Sequence, residues 1–219
     1  MTAPLAGWIL WGAAGHARVL RETLASEAAP LVAVFDNAPD LVAPFSDVPL
    51  YRGRAGFEAW RRAATGSYGF LVAIGGAHGA TRCELHHWLT AGGLIPLTAI
   101  HRTAFVAHTA RIGAGSHVLA QSAVCVEAQL GEQCIVNTGA TVDHECRLGA
   151  GVHVAPGAHL AGLVEVGDHA FVGVGASVLP RIRIGARAVI GAGAVVTADV
   201  PDDTTVVGIP ARPLERKSP

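Results

Sequence analysis

From Ile100 onward, an aliphatic residue occurs at every sixth position without a gap. An α-helix repeats every 3.6 residues and a strand alternates every two, so neither gives this period over about a hundred residues. The pattern predicts very short strands with a turn every six residues, as in a solenoid. The sixth-position series is Ile100, Val106, Ile112, Val118, Val124, Leu130, Val136, Val142, Leu148, Val154, Leu160, Val166, Val172, Val178, Ile184, Ile190 and Val196.

Small or aliphatic residues form a second series, four positions after each member of the first, and we expect both series to face inward. Cys134 and Cys146 occupy such slots, which indicates packing rather than redox chemistry. Glycine adds a period of eighteen, at Gly113, Gly131, Gly149, Gly167 and Gly185. Eighteen residues therefore make one coil with three six-residue sides, and the solenoid is predicted to be a triangular prism of five to six coils.

The front of the chain follows a different pattern. Near-continuous apolar runs at Gly7–Trp11, 31–35 and 68–74 predict buried strands, and helices are predicted after Gly15 and at about 79–91. Such strands alternating with helices are typical of a small parallel sheet covered on both faces. We therefore predict a Rossmann-like α/β domain over residues 1–97, the solenoid over 98–202 and a C-terminal tail over 203–219.

Composition excludes several classes of function. The chain has 16 Lys and Arg against 17 Asp and Glu, so charge gives it no reason to bind nucleic acid or an anionic membrane. The apolar stretch at the N-terminus is short and has no basic segment before it, so it resembles a strand more than a signal peptide. We expect a cytoplasmic protein with no membrane insertion. Only 5% of residues are aromatic, which predicts a core of Val, Ile, Leu and Ala.

The carboxyl ends of the predicted strands are candidate ligand sites, because parallel sheets bind ligands at that edge. They supply Gly12–His16, Asp36 with Asn37, and Gly75 with Gly76. The sequence GAAGH lacks the full glycine fingerprint of a dinucleotide site, and a tight turn without a ligand explains it equally well. Asp36 has the spacing to bind a ribose in a Rossmann fold, but nothing downstream supplies redox chemistry.

Polar residues interrupt the solenoid most densely at 137–146, NTGATVDHEC. Because Val142 and Cys146 are predicted to face inward, His144 should lie on the outer surface between two carboxylates. An imidazole with a pKa near ~6.5 and a carboxylate partner suits a general base at neutral pH. A solvated surface histidine among the eleven in the chain is the alternative.

The solenoid resembles the hexapeptide-repeat acyltransferases, whose repeats form a left-handed parallel β-helix that trimerises. With the short α/β domain and NTGATVDHEC, the whole chain resembles sugar acyltransferases that modify nucleotide-linked amino sugars. The bacillosamine and perosamine N-acetyltransferases are the most similar types, and sialic acid O-acetyltransferases are relatives. The segment 206–212, VVGIPAR, is similar to the usual ending of these acetyltransferases.

This resemblance implies acetyl-CoA as co-substrate, a nucleotide-linked amino sugar as acceptor and a homotrimer with active sites between subunits. It implies His144 as the general base and Glu145 as the acid that orients it. Asp36 and Asn37 stand where some members have two aspartates, so base or sugar preference would differ. The nucleotide-sugar contacts it implies are Ala14, Gly15, His16, Asp36, Asn37, Gly75, Asn137 and Asp143. The acetyl-CoA contacts it implies are His153, Gly162, Val174 and Ala192.

Direct transfer in a ternary complex is the predicted mechanism, with the backbone N–H of Gly162 polarising the thioester. The alternatives are O-acetylation of a sugar, a non-catalytic nucleotide-sugar-binding trimer and a metal-dependent β-helix. No two solenoid histidines are eighteen apart, so no metal is expected. We expect His117, His159 and His169 to be structural or to face solvent, and His153 to lie in a turn-like slot, either as a surface residue or in contact with a ligand.

Overall fold

The computed structural model describes residues 4–25 and 28–214. Its N-terminal part is an α/β domain with one five-stranded parallel sheet in the order β3-β2-β1-β4-β5. The elements are β1 Gly7–Trp11, α1 Gly15–Thr23, β2 Leu31–Asp36, β3 Leu50–Arg52, α2 Gly53–Ala63, β4 Tyr68–Val72, α3 Gly79–Ala91 and β5 Ile95–Pro96.

The predicted strands and helices of this domain are all present, but β3 and α2 were missed. β3 has only three residues, none of them buried, and α2 buries only Phe57, so neither has a strong apolar pattern. The expected aliphatic core was wrong for one side of this domain. There Trp11 packs against Phe35, Phe57 and Trp88 with ring centroids 5.1–6.1 Å apart.

From residue 99 onward the chain forms a parallel β-helix whose two- and three-residue strands build three flat faces. Face 1 contains β6 Ala99–Ile100, β9 His117–Val118, β12 Ile135–Val136, β15 His153–Val154, β18 Phe171–Val172, β21 Val189–Ile190, β23 Thr205–Val207 and β24 Arg212–Pro213. Face 2 contains β7 Phe105–Val106, β10 Ala123–Val124, β13 Thr141–Val142, β16 His159–Leu160, β19 Ser177–Val178 and β22 Val195–Val196. Face 3 contains β8 Arg111–Ile112, β11 Gln129–Leu130, β14 Arg147–Leu148, β17 Glu165–Val166 and β20 Arg183–Ile184.

Burial along the axis of the prism confirms the two inward series from Val118 onward, whereas Ile100 in the first coil is 44% exposed. Val142, Cys146 and Val154 are completely buried in one continuous core cluster. Burial raises the pKa of the Cys134 thiol to about 12 and that of Cys146 to about 11, so both thiols are protonated packing groups.

Three turns per coil make the corners of the prism. Corner 1 joins face 1 to face 2, as at residues 137–139, corner 2 joins face 2 to face 3, as at 143–145, and corner 3 closes the coil, as at 149–151. The glycine column lies at corner 3, where a Cβ on Gly131 would come within 2.7 Å of the backbone of Gly149. The coils therefore stack too closely there for a side chain.

The α/β domain covers face 1. Ile135 and Ala99 point outward from that face, yet both are fully buried in one cluster with Leu10 and Leu20 of the α/β domain. Helix α3 adds a second contact, because a Cβ on Gly79 would collide with the backbone of Gly151 at corner 3. The two parts of the chain thus share a continuous packed interface.

The C-terminal residues differ from the predicted tail of 203–219. β23 pairs in parallel with β21, and β24 pairs antiparallel with β23, so face 1 continues to residue 213. Ile184 pairs with Val200, sixteen rather than eighteen residues away, so the last coil is shorter. The period of six is lost there while the hydrogen-bonded ladder continues. Residues 215–219 of the predicted tail lie outside the described residues.

Candidate functional site

The carboxyl edge of the α/β sheet brings together the first group of predicted ligand contacts. Gly12 has φ of +109°, and a Cβ there would come within 2.6 Å of the Ala73 carbonyl oxygen. The Asp36 carboxylate accepts the backbone N–H groups of Ala13 and Ala38, each at 2.8 Å. Asp36 therefore fastens the turn after β1 to the end of β2. Ala14, Gly15 and Asn37 are exposed at this edge.

His16 and Gly75 extend this edge onto face 1 of the solenoid. The Nε2 atom of His16 lies 3.1 Å from Nδ1 of His117, which is completely buried. A Cβ on Gly75 would lie 3.9 Å from Cε1 of His153. Burial, reinforced by the charge of Arg82, lowers the pKa of His16 to about 4, so its imidazole is neutral. Of the two predicted alternatives for His117, structural or facing solvent, the second is wrong, and the contact with His16 was not predicted.

His153 is not in the turn-like slot that we predicted. It is the first residue of β15 and only 4% exposed, because the α/β domain covers it. Its Nδ1 donates to the Gly76 carbonyl at 3.2 Å, and its Nε2 accepts from the Asn137 amide at 3.1 Å. Burial, followed by the charge of Arg82, lowers its pKa to about 3. Both ring nitrogens are thus used within the chain, and the neutral His153 links the Gly75–Gly76 loop to corner 1.

Arg82 is a buried cation that the sequence analysis missed. Its guanidinium donates to the carbonyl oxygens of Gln133 at 3.1 Å and Gly151 at 2.6 Å on the solenoid. It also donates to Ile74 at 3.3 Å and Gly76 at 3.4 Å in the loop after β4. These carbonyls satisfy the charge without a carboxylate, and they hold the loop against the solenoid. The spacing of Gly79, Arg82 and His86 on α3 marks the helical stripe involved, although arginine is rarely buried.

His144 lies at corner 2 with its side chain 51% exposed, as predicted from the inward positions of Val142 and Cys146. Its Nδ1 is 3.0 Å from the Glu145 carboxylate, which can only accept, so Nδ1 carries the proton. In the neutral form of the ring, Nε2 then carries the lone pair. Asp143 accepts the backbone N–H of His144 at 2.7 Å, so it shapes the turn, and within the described part of the chain only Glu145 bonds the ring.

The coil below leaves room for this ring. Gly162 is eighteen residues after His144, and any side chain there would collide with Nε2 of His144. Among the described residues, the Gly162 N–H has no hydrogen-bond acceptor. Glu145 has φ of +59°, a left-handed conformation that usually favours glycine. Eight other described non-glycine residues also have positive φ, so this conformation does not by itself distinguish Glu145.

His108 provides an internal comparison. It occupies the same turn position as His144, two coils earlier, and it is also exposed. Thr109 follows it instead of an acid, and Val126 lies in the coil below instead of glycine. The imidazole, the carboxylate and the open space thus coincide only at His144 within this column of the described residues.

Val174 and Ala192 lie at corner 1, at equivalent positions of adjacent coils, and both are exposed. Corner 2, with His144 and Gly162, is the corner opposite face 1. His144 and Gly162 are therefore on a different side of the chain from the predicted ligand contacts at corner 1 and at the edge of the α/β sheet. The two groups do not meet within one chain. A broad concave surface of about 1180 Å³ follows face 3 and contains none of these residues.

Two negative findings concern residues 4–25 and 28–214. Within them, no three His, Cys, Asp or Glu side chains are grouped closely enough to hold a metal ion. In the same ranges, no helix is both long and apolar enough to cross a membrane.

Comparison with known proteins gives consistent matches. The bacterial transferase hexapeptide (six repeats) family matches residues 164–198. A mutant of perosamine N-acetyltransferase from Caulobacter crescentus, in complex with CoA and GDP-perosamine, is 35% identical with a TM-score of 0.88, covering 99% of this chain and 100% of that one. The acetyltransferase domain of PglB from Neisseria gonorrhoeae, in complex with acetyl coenzyme A, is 31% identical with a TM-score of 0.84, covering 96% and 100%.

WeeI from Acinetobacter baumannii is 26% identical with a TM-score of 0.83, covering 95% of this chain and 99% of that one. A search of curated proteins gives no significant match. The structural matches confirm the predicted fold, a Rossmann-like α/β domain followed by a left-handed parallel β-helix. With identity above 30% over essentially the full length of both chains, this protein belongs to the hexapeptide-repeat sugar acetyltransferases.

Proposed function

We propose that this enzyme uses acetyl-CoA to acetylate the 4-amino group of a nucleotide-linked 4-amino-4,6-dideoxy sugar. The observation that carries the proposal is the exposed His144–Glu145 pair, in which Nδ1 is bonded to the carboxylate and Nε2 is free. The relatives that bind CoA with GDP-perosamine, or acetyl coenzyme A, support the two substrates.

The chemistry is direct acyl transfer in a ternary complex. The sugar amine attacks the thioester carbonyl, and Nε2 of His144 takes a proton from the nitrogen as the C–N bond forms. Glu145 stabilises the resulting imidazolium. The C–S bond then breaks, and the CoA thiolate takes the proton back from His144. Gly162 lies against the imidazole, and its N–H has no acceptor within the described residues. We propose that this N–H stabilises the oxyanion.

The α/β edge supplies the nucleotide-sugar site in this proposal. Helix α1 begins at Gly15 with no side-chain cap, and the N–H groups of Gly15 and His16, which have no acceptor among the described residues, are available for a diphosphate. The proposed contacts at this edge are Ala14, Gly15, His16, Asp36, Asn37 and Gly75. Asn137, bonded to His153 at corner 1, extends the site onto the solenoid.

Acetyl-CoA is proposed to run along the solenoid, past Val174 and Ala192 at corner 1, towards Gly162 of a neighbouring chain. Gly175 and Gly193 follow these two residues, and a Cβ on either glycine would meet nothing within 4 Å, so the backbone there is open to a ligand. His153, proposed from resemblance as an acetyl-CoA contact, has both ring nitrogens engaged within the chain. We therefore propose that His153 contributes through Asn137 rather than by a hydrogen bond of its own.

A homotrimer completes the site. Because corner 2 is opposite face 1 in one chain, His144 must be brought to the nucleotide-sugar edge by a second copy. Face 3 is charged and face 1 is already covered, whereas the outward residues of face 2 include no Lys, Arg, Asp or Glu. Packing along face 2 with a threefold axis would close a ring with three equivalent active sites.

Thiol release from acetyl-CoA tests the function. We would assay GDP- and UDP-linked 4-amino-4,6-dideoxy sugars beside CMP-sialic acid and free sialic acid. Release with an amino sugar, and none with its 4-hydroxy analogue, is the expected result. Release only with a sialic acid would indicate O-acetylation instead. No release with any acceptor, from protein that binds acetyl-CoA, would contradict the proposed substrate class.

Intact mass after incubation with acetyl-CoA alone tests direct transfer. The expected mass is that of the unmodified chain. A stable gain of one acetyl group would point to a covalent intermediate and contradict the ternary-complex mechanism.

A further inference from the structure

The pair His16 and His117 joins the α/β domain to the solenoid. The rings are 5.1 Å apart between centroids, with Nε2 of His16 3.1 Å from Nδ1 of His117. His117 is completely buried, and its Nε2 atom has no hydrogen-bond partner among the described residues. A buried, unpartnered nitrogen of this kind requires an explanation.

Both rings are neutral. Burial, and then the charge of Arg82, lowers the pKa of His16, while burial, His16 and Arg82 lower that of His117. Each neutral imidazole carries one proton, so only two arrangements of the shared hydrogen bond exist. Either His117 donates from Nδ1, or His16 donates from Nε2.

The unpartnered nitrogen separates the two arrangements. If His16 donated, Nε2 of His117 would carry a buried N–H without an acceptor, which is rare in proteins. It would also place a positive dipole end in the field of Arg82, which disfavours positive charge at His117. If His117 donates, Nε2 is a buried lone pair in a positive field, which costs less.

We propose that His117 is a positioning residue that donates from Nδ1 to His16 and so fixes the proton of His16 on Nδ1. His16 then offers its bound substrate a hydrogen-bond donor and never an acceptor. Together with the uncapped N–H groups at the start of α1, this makes the edge a set of donors, which suits the diphosphate of a nucleotide sugar. This last step rests on the proposed function.

The tautomer is tested without any substrate. In the ¹⁵N-histidine-labelled full chain, the imidazole nitrogen shifts of His16, assigned with a His16→Gln variant, should show a protonated Nδ1. A protonated Nε2 would overturn the proposal. His117→Asn keeps an N–H close to the position of Nδ1, whereas His117→Leu has nearly the same shape and no donor. We expect His16 to keep its tautomer in the Asn variant and to become a mixture of tautomers in the Leu variant.

The same two variants test the consequence for substrate. Loss of the donor should weaken the binding of GDP-perosamine roughly tenfold in His117→Leu and less than about twofold in His117→Asn. The KM for acetyl-CoA should be unchanged in both, and equal thermal midpoints would exclude unfolding as the cause. Equal loss in both variants would overturn the positioning role. If His16→Gln binds GDP-perosamine as the wild type does, the substrate contact fails while the tautomer assignment stands.

If His117→Leu does not fold, the decision rests on the wild type and His117→Asn. A protonated Nδ1 of His16 in both would support the proposal, and a protonated Nε2 in either would overturn it.

Discussion

Faces 2 and 3 of the solenoid have the same backbone structure, but their outward side chains differ in charge. The outward residues of face 2 are Phe105, Ala123, Thr141, His159, Ser177 and Val195, and those of face 3 are Arg111, Gln129, Arg147, Glu165 and Arg183. Glu165 and Arg183 form an ion pair at 3.3 Å on face 3. The repeat therefore determines which residues point inward, but it leaves the outward residues of each face unconstrained. The charged side chains of face 3 are compatible with exposure to solvent. The outward residues of face 2, which include no Lys, Arg, Asp or Glu, are compatible with the interface of the proposed trimer.

The largest expected effect is on stability, when an aspartate is placed either in the core behind face 3 or on the outer surface of that face. Leu148 is 5% exposed in the core, whereas Gln129 is exposed between Arg111 and Arg147. Leu148→Asp should cost about 4–5 kcal/mol of unfolding free energy, because it buries an unpaired charge. Gln129→Asp should change it by less than about 1 kcal/mol. Urea unfolding measures both, and similar costs would contradict the inward assignment.

Catalytic activity should depend on His144 at corner 2, where faces 2 and 3 meet, and not on His108 at the same corner. His144→Ala should lower kcat by ~10²–10⁴, because the attacking amine loses its base, and acetyl-CoA binding should persist. His108→Ala removes the matching side chain two coils earlier and should leave kcat within about twofold. Thiol-release kinetics with calorimetric titration of acetyl-CoA check both. A nearly normal rate in His144→Ala would contradict the base assignment.

A new charge should weaken trimer formation on face 2 but not on face 3. Ser177→Asp places a carboxylate on face 2, where it would be buried in the proposed trimer. We expect the trimer dissociation constant to rise by roughly a hundredfold or more. Gln129→Asp, with the same new side chain on face 3, should remain trimeric. Sedimentation velocity over a range of concentrations distinguishes them, and the reverse order would assign the interface to face 3.

Two left-handed turns at corner 2 allow the catalytic role of a glutamate to be separated from its effect on backbone strain. Glu145 and Glu127 both have φ of +59° at corner 2, but only Glu145 bonds an imidazole. Replacing either with glycine relieves the strained backbone at the cost of chain entropy, so stability should change by less than about 1 kcal/mol. Only Glu145→Gly should lower kcat, by roughly tenfold. Equal rates in the two variants would contradict the role of Glu145.

Face 1, covered by the α/β domain, should show a pH dependence of stability. The pKa of His153 is about 3 in the folded chain and about 6.5 when unfolded, so unfolding takes up a proton below pH 6.5. The stabilisation from the neutral, buried ring is complete above pH 6.5 and is lost as pH falls towards 3. His153 should account for about 2 kcal/mol between pH 7 and pH 5. Urea unfolding of His153→Asn should show a shallower decline than the wild type, and an equal decline would contradict the assignment.

Local rules explain the success of prediction at corner 2. The inward positions of Val142 and Cys146 leave only one side for His144, so its exposure follows from the period of the sequence. His153 directly precedes the inward Val154, so it occupies an outward strand position rather than the predicted turn-like slot. It is buried because outward residues of face 1 meet the α/β domain. The burial of these residues depends on how the α/β domain docks onto the solenoid. The hydrophobic period of neither region specifies that docking.

Arg82 and His117 show the same limit more sharply. Neither belongs to a recognisable motif, and both become informative only when backbone carbonyls or a second histidine from a distant part of the chain are brought within 3.5 Å. Missing β3 and α2 has a different cause, since short or exposed elements bury too few residues to leave an apolar pattern.

The sequence by itself determined the three-sided solenoid, the buried parallel sheet and the exposed histidine beside an acid, because these follow from which side chains must leave water. The tertiary structure decided which outer face is covered, where the buried histidines meet and that His144 lies at the corner opposite the covered face. Those properties depend on distances between residues far apart in sequence, which hydrophobic periodicity does not specify.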